Sequence, residues 1–249
     1  MEVTVRVSSM EEIFSSSLTA CFMPLVLFDI DGTLTDTMDV DTRCFLQAFV
    51  DVCGFSDVNP DWSVYKNTTD AGIFREVFGS RRGRAPTASE TVEFRDHLVT
   101  LFRSAALQGP FAPIRGALEL LTRMRERGDY RIGLATGSWS DAARVKMAAA
   151  GFCYDDYPEA SADDAPDRET IFQIAATRTA GDTCKWHRPI YVGDGVWDVK
   201  MSRLLGIRFL GIGAGAQREK LLIAGASYVL PDFADLDEFL FVLAKLESQ

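Results

Sequence analysis

The stretch Leu25-Val26-Leu27-Phe28-Asp29-Ile30-Asp31-Gly32-Thr33-Leu34-Thr35-Asp36 constrains the fold most, because a short apolar run ends in two carboxylates separated by one residue. Four apolar residues closed by a glycine-containing turn predict a strand covered on both faces, as in the parallel sheet of an α/β domain. In such sheets the ligand crevice lies at the carboxyl ends of the strands. Asp29 and Asp31 then fall at that crevice, with Ile30 turned away between them. Carboxylates this close repel each other, and a divalent cation is the simplest compensation. Asp29 can act as a nucleophile or a metal ligand, while Asp31 can offer its carbonyl to a metal and use its side chain for proton transfer. Gly32 permits the sharp turn and Thr33 brings a hydroxyl to the same place. A solitary Asp-Gly pair reads equally well as a surface turn, so the weight rests on the other strand ends of the chain.

The second half of the chain alternates strand and helix patterns. Strands are expected at Arg131 to Ala135, Pro189 to Val192, Ile207 to Ile212 and Tyr228 to Leu230. Helices are expected at Gly116 to Arg127, Ser140 to Ala150, Glu169 to Arg178, Asp198 to Leu205, Ala216 to Ala224 and Asp235 to Leu246. This order predicts an α/β fold with a doubly wound parallel sheet and right-handed crossovers. Two further strand ends carry polar residues that could converge on Asp29. Thr136-Gly137-Ser138 offers a hydroxyl and an amide suited to an anion at a helix start. Gly193-Asp194-Gly195-Val196-Trp197-Asp198 places carboxylates four apart at a strand-to-helix turn. Helix capping accounts for Ser138, Ser140 or Asp198 taken singly; successive turns of this kind in one sheet are harder to explain by capping.

Between residues 37 and 109 the pattern is helical. Phe45, Phe49 and Val52 form one stripe, Ile73, Phe74, Val77 and Phe78 a second, and Phe94, Leu98, Leu101, Phe102 and Ala105 a third. Asp70 is the expected cap of the second helix, Gly54 and Gly79 the expected helix ends, and Arg81 to Pro86 an expected loop. These stripes read as the core of a small helical bundle inserted after the first strand. Residues 1–23, rich in Ser and carrying Glu11-Glu12, read as a weakly ordered extension and make a poor signal peptide; Met10 and Met23 both serve as plausible starts.

The 47% hydrophobic and 25% charged composition is that of an ordinary globular protein, and the net charge of −10 argues against a nucleic-acid partner. Cys21, Cys44, Cys53, Cys153 and Cys184 are scattered and form no C-x-x-C pair, which disfavours disulfides or zinc and fits reduced thiols of a cytoplasmic protein. No apolar stretch approaches the roughly 20 residues that span a bilayer, so no membrane partner is expected.

Asp29-Ile30-Asp31-Gly32-Thr33-Leu34-Thr35, Thr136-Gly137 and Gly193 to Asp198 resemble motifs I, II and IV of the haloacid dehalogenase superfamily, in its phosphoglycolate phosphatase-like and β-phosphoglucomutase-like branch. The resemblance runs from Pro24 to the C-terminus. It implies a Rossmann-like core made of residues 24–36 and 110–249, with a mobile C1-type helical cap at 37–109. It further implies that Asp29 attacks phosphorus to form an aspartyl-phosphate, while Asp31 protonates the leaving alkoxide and then activates water. Mg2+ would be held by Asp29, the carbonyl of Asp31 and Asp194, with Asp198 supporting it through a water or from behind. Thr136 and Gly137 would bind phosphate.

The sequence departs from the family at motif III, where a Lys is usual and Arg168 stands instead; Lys185 is the competitor but lies too near Asp194 in sequence. A guanidinium can neutralise nucleophile and phosphate, and can do so bidentately. Because a halide leaving group needs no proton, Asp31 favours phosphate esters over dehalogenation. The expectation is a Mg2+-dependent phosphomonoesterase acting on a small phosphorylated metabolite, as a monomer or homodimer. A β-phosphoglucomutase-type phosphomutase and a non-catalytic phosphate-binding module are the alternatives. Substrate selection is expected from the loop containing Lys66, Asn67 and Thr69, whereas His97 and His187 lie beside no motif.

Overall fold

The structure, a computed structural model, describes residues 23–109, 111–181 and 189–248. The 1–22 part of the expected extension, Cys21, Cys184, Lys185 and His187 lie outside these residues. The strands are β1 Leu25–Phe28, β2 Arg131–Ala135, β3 Glu159–Ala160, β4 Ile190–Gly193, β5 Arg208–Ile212 and β6 Val229–Leu230. They form one parallel sheet in the order β3-β2-β1-β4-β5-β6, with β1 flanked by β2 and β4. This is the doubly wound order, which reverses direction beside β1 and opens a crevice at its carboxyl end. The helices in chain order are α1 Met38–Ala48, α2 Asp70–Arg82, α3 Ala88–Gln108, α4 Ala117–Arg127, α5 Ser140–Ala149, α6 Arg168–Ala180, α7 Val196–Leu205, α8 Gly215–Ala224 and α9 Leu236–Glu247.

Alternation along β1 explains why both of its faces are apolar. Val26 and Phe28 pack with α4, α5 and α9, while Leu25 and Leu27 pack with α6, α7 and α8. All four side chains are buried, and each contributes roughly 1.5–3 kcal/mol by leaving water. Such a strand fixes its register strongly, so the position of Asp29 at its end is equally fixed.

The helices α1 to α3 and a π-helical turn, Phe49–Cys53, have their own buried cluster. Phe45, Phe49, Phe74 and Phe94 form its centre, with the Phe74 and Phe94 ring centroids 4.3 Å apart. The aromatic stripes are core, as their spacing predicts. Trp139 and Ala142, from the start of α5, enter the same cluster and fasten this layer to the sheet domain. The chain leaves and re-enters the sheet domain along one path: the Asp36 amide donates to the Ala112 carbonyl, and the Ile114 amide to that of Leu34.

Several local expectations change. The cap of α2 is Thr69, whose hydroxyl accepts from the Gly72 amide, and Asp70 is the first helical residue. Gly79 lies inside α2, which runs on to Arg82 and ends at Gly83 in the left-handed conformation. The helix continues through Gly79 because Val77 and Phe78 remain in the aromatic core while Arg81 and Arg82 complement its last turn. Cys44 and Cys53 are buried, but Cys153 is exposed. Among the described residues no helix is long and apolar enough to cross a membrane.

Candidate active site

The carboxyl ends of β1, β2 and β4 bring together residues far apart in sequence. Asp29 follows β1 directly, and its amide continues the ladder to the Val192 carbonyl. Its Oδ1 accepts from the Ile30 amide at 2.8 Å and its Oδ2 from Arg168 Nη1 at 3.0 Å. The same Arg168 nitrogen donates to Asp198 Oδ1 at 2.9 Å, and Arg168 Nε donates to the Thr68 carbonyl and hydroxyl. Arg168 can reach this point because Asp167 caps α6 through the Thr170 amide and sets Arg168 at the helix start. Gly137 leaves the room: a Cβ there would lie 2.7 Å from Arg168 Nη2. The residue at the motif III position thus holds the first carboxylate of motif I and the last of motif IV at once.

Asp29, Asp194 and Asp198 each bring a carboxylate oxygen within 4.8 Å of the others. Asp198 is fixed by the Gly195 amide at the start of α7, and the Gln217 side chain donates to the Asp194 carbonyl. Asp194 Oδ1 is buried without a hydrogen-bond partner. Gly32, at φ +75°, lies so close that a Cβ would sit 2.2 Å from Asp194 Oδ2. Burial pushes the Asp194 carboxyl well above the usual range, reinforced by Asp198 and Asp29. Burial likewise raises Asp29, against the pull of Arg168, and lifts Asp198 to about 7. Of the three buried carboxylates, two pair with the Arg168 guanidinium, and the third, Asp194, has an unsatisfied oxygen. An all-oxygen set with spare negative charge suits a hard divalent cation such as Mg2+.

Asp31 has different surroundings. Its side chain meets Lys146 Nζ at 2.6 Å, with Ser138 Oγ donating to it at 2.9 Å and the Thr37 hydroxyl donating to its other oxygen. Burial would raise its pKa, but Lys146 and the two hydroxyls outweigh burial and lower it. Lys146 is fully buried and also reaches Asp41 Oδ1 at 2.6 Å and Ser138 Oγ at 2.7 Å. Desolvation works against its charge, yet its carboxylate neighbours prevail and hold its pKa above the usual lysine range. The two carboxylates of motif I therefore face opposite ways electrically: Asp29 toward the carboxylate cluster and Arg168, Asp31 toward a buried ammonium.

Sequence reasoning missed Lys146, Asp41 and Asp70. Lys146 occupies the inward stripe Ala142, Ala143, Lys146, Met147 of α5, and a lysine on an otherwise apolar helical face is the signal that could have marked it. Asp70 lies 7% exposed, takes the Trp139 amide on Oδ2 at 2.9 Å, and donates its own amide to the Gly137 carbonyl at 2.7 Å. A cavity of about 40 Å³ is lined by Asp29, Asp31, Thr136, Gly137, Ser138, Arg168 and Trp197 from the sheet domain, and by Met38, Asp41, Phe45, Trp62, Thr68, Thr69, Asp70 and Ile73 from the helical layer. Of the expected substrate-reading residues, Thr69 lines this cavity, but its hydroxyl is engaged with Gly72 and with the Pro166 carbonyl at 2.7 Å. Lys66 and Asn67 line a neighbouring cavity of about 150 Å³ that shares Thr68, Arg168 and Trp197 with the first. His97 pairs with Asp51 and lines neither.

The fold thus sets an acidic cluster at the switch point of a doubly wound sheet, beneath a helical layer. The sequence matches the haloacid dehalogenase-like hydrolases over residues 23–206, and the chain belongs to that family. No curated protein sequence matches it. Among solved structures it is similar to a hydrolase from Pseudomonas syringae, at 21% identity over 87% of this chain and 97% of that one, with a TM-score of 0.67. CbbY from Rhodobacter sphaeroides, in complex with phosphate, is 19% identical over 86% of this chain and 96% of that one, with a TM-score of 0.64. A predicted phosphoglycolate phosphatase from Haemophilus somnus is 15% identical over 88% and 98%, with a TM-score of 0.60. At these identities the likeness is one of fold.

Proposed function

We propose that the chain is a Mg2+-dependent phosphomonoester hydrolase acting on a small phosphorylated metabolite. The observation that carries this reading is the division between the two motif I carboxylates: Asp29 beside Arg168, Asp194 and Asp198, Asp31 apart from them on Lys146. The division gives each carboxyl group its own partners, and a cation bound among Asp29, Asp194 and Asp198 would offset the burial that raises Asp29 and keep it ionised for attack. Asp29 is the nucleophile, oriented by the Ile30 amide and Arg168. Arg168 neutralises charge as the phosphoryl group approaches, and Thr136 and Gly137, which line the same cavity, supply donors to the phosphate oxygens. Asp31, once protonated, gives its proton to the leaving alkoxide and later takes one from the attacking water, with Thr37 and Ser138 fixing its carboxyl group. Asp29, Asp194, Asp198 and the Asp31 carbonyl would hold the cation, which screens the repulsion between nucleophile and phosphate. The phosphate complex of the similar CbbY fold supports a phosphorylated substrate.

The central cavity has room for about three waters, taking roughly 10–15 Å³ for each. A phosphate ester therefore enters only when the helical layer lifts, which supports a division into core (24–36 and 110–249) and cap (37–109). Asp29→Asn tests the reading: it keeps shape but removes the attacking charge. Turnover of p-nitrophenyl phosphate should vanish, and acid quenching of the wild type during turnover should reveal a protein heavier by one phosphoryl group. Sustained turnover by the variant would sink the nucleophile assignment.

A further inference from the structure

Resting on that reading, we propose that Trp197 is a positioning residue for phosphate: the face of its indole holds the Arg168 guanidinium so that Nη2 is left free to donate to the phosphoryl oxygens beside Gly137. The other guanidinium nitrogens are taken. Nη1 donates to Asp29 and Asp198, and Nε to the Thr68 carbonyl and hydroxyl. Nη2 has no hydrogen-bond partner among the described residues, and it lies 2.7 Å from where a Cβ on Gly137 would stand. That places the spare donor at the motif II turn, in the wall of the cavity that Asp29 and Thr136 also line. A lysine, with a single nitrogen on a flexible stem, has no rigid fork with which to serve the carboxylates, the helical layer and a phosphate together.

Trp197 is placed to fix that fork. Arg168 Cζ lies 5.5 Å from the centre of its ring, within the distance at which a guanidinium is attracted to an indole face. The ring can fold back this far because residue 195 is glycine, where a Cβ would stand 2.2 Å from Cε2 and Nε1 of the indole. No hydrogen bond among the described residues sets the ring's position, since Nε1 is buried without a partner. Buried indole N–H groups usually find one, so the face rather than the edge carries the contact that matters here. The Thr68 contacts come from the helical layer and part when it lifts to admit an ester. Trp197 belongs to α7 of the sheet domain, so it keeps the guanidinium aimed while the layer is open. Arginine at the motif III position and tryptophan at the start of α7 are in this way complementary.

The test reads the dissociation constant of inorganic phosphate by titration calorimetry with Mg2+ present, alongside thermal melts of each variant. Trp197→Leu keeps an apolar side chain without a ring and should weaken phosphate binding about three- to thirtyfold, the scale of a cation–aromatic contact. Trp197→Phe restores a ring face and should recover most of that loss. In an Arg168→Met background there is no cation for the ring to hold, and Trp197→Leu should then change the dissociation constant by less than about twofold. Equal losses in the Leu and Phe variants, or a loss of the same size in the Arg168→Met background, would show that Trp197 only packs and would overturn the inference while leaving the phosphatase reading intact. Should Trp197→Leu not fold, Trp197→Phe carries the same cycle: its smaller loss should vanish in the Arg168→Met background, and persistence there would overturn the inference. Wild-type protein that neither binds phosphate nor turns over p-nitrophenyl phosphate would overturn both.

Discussion

Replacing Lys146 by Met keeps the length of the side chain and deletes its charge, which tests how the two layers are tied together. In the native protein one ammonium sits 2.6 Å from Asp31 Oδ2 and 2.6 Å from Asp41 Oδ1, with no exposed surface of its own. Those two oxygens are therefore no more than about 5 Å apart, and at an effective dielectric constant near 20 their repulsion amounts to about 3 kcal/mol once the cation is gone. Loss of one partner from a buried ion pair costs about 3–5 kcal/mol on general grounds, which agrees. For a chain of this size that loss corresponds to a fall in Tm of about 6–20 °C. Urea unfolding followed by tryptophan fluorescence at pH 7.5 would measure it. Adding Asp41→Asn removes one of the two opposed charges, and the double variant should recover about 1–3 kcal/mol of coupling. A loss below about 1 kcal/mol in Lys146→Met, or an identical loss in the Asp41→Asn background, would refute the claim that Lys146 acts by neutralising this pair.

The remaining expectations use other handles. Burial lifts the Asp41 carboxyl from 3.8 to about 6 despite Lys146, so its contribution to stability is fully present below pH 3.8 and lost as pH rises through about 6. Asp41→Asn should accordingly gain on the wild type between pH 4 and 7, by at most about 3 kcal/mol at 1.36 kcal/mol per pKa unit; a flat difference in paired urea titrations would contradict the assigned burial. Chelation should stop phosphatase turnover, Mg2+ should restore it, and Ca2+ should inhibit because its larger, looser coordination misplaces Asp29; full activity in excess chelator would exclude a metal role. Thr69→Ala should lower stability by about 0.5–2 kcal/mol through loss of the α2 cap, whereas Lys66→Ala should leave Tm nearly unchanged, as thermal melts of the two would show.

The sheet domain was legible because its strands are apolar runs ending in turn residues: Arg131–Ala135 is found at its expected residues. Strand β3 was not, since Glu159–Ala160 is two residues long and carries no apolar run. The acidic cluster and Arg168 were legible because each lies within a few residues of a strand or helix end, where the fold itself aims side chains at the crevice. Lys146 and Asp41 were not, because each lies about a helix turn or more from such an end and becomes relevant only when packing through α3 brings α1 and α5 near enough for the two to pair. Thr69 shows a subtler limit: Thr and Asp are both good caps, and only the Trp139 amide, supplied by a distant part of the chain, reassigns Asp70 to a different partner. Local preference chooses among residues one position apart less surely than tertiary contact does.

The two chain crossings between the sheet domain and the helical layer run side by side, joined by backbone hydrogen bonds from Asp36 to Ala112 and from Ile114 to Leu34. To the sheet domain, everything between them is a loop whose two ends already touch. Lengthening such a loop carries little additional closure entropy, because that cost grows only with the logarithm of its length. The segment can thus vary in length or composition without altering the register of β1, provided it keeps Thr37, Asp41 and Thr68, which hold Asp31, Lys146 and Arg168. A chimera that exchanges the inserted segment while retaining Thr37, Asp41 and Thr68 should therefore fold with the surroundings of Asp29 and Asp31 preserved.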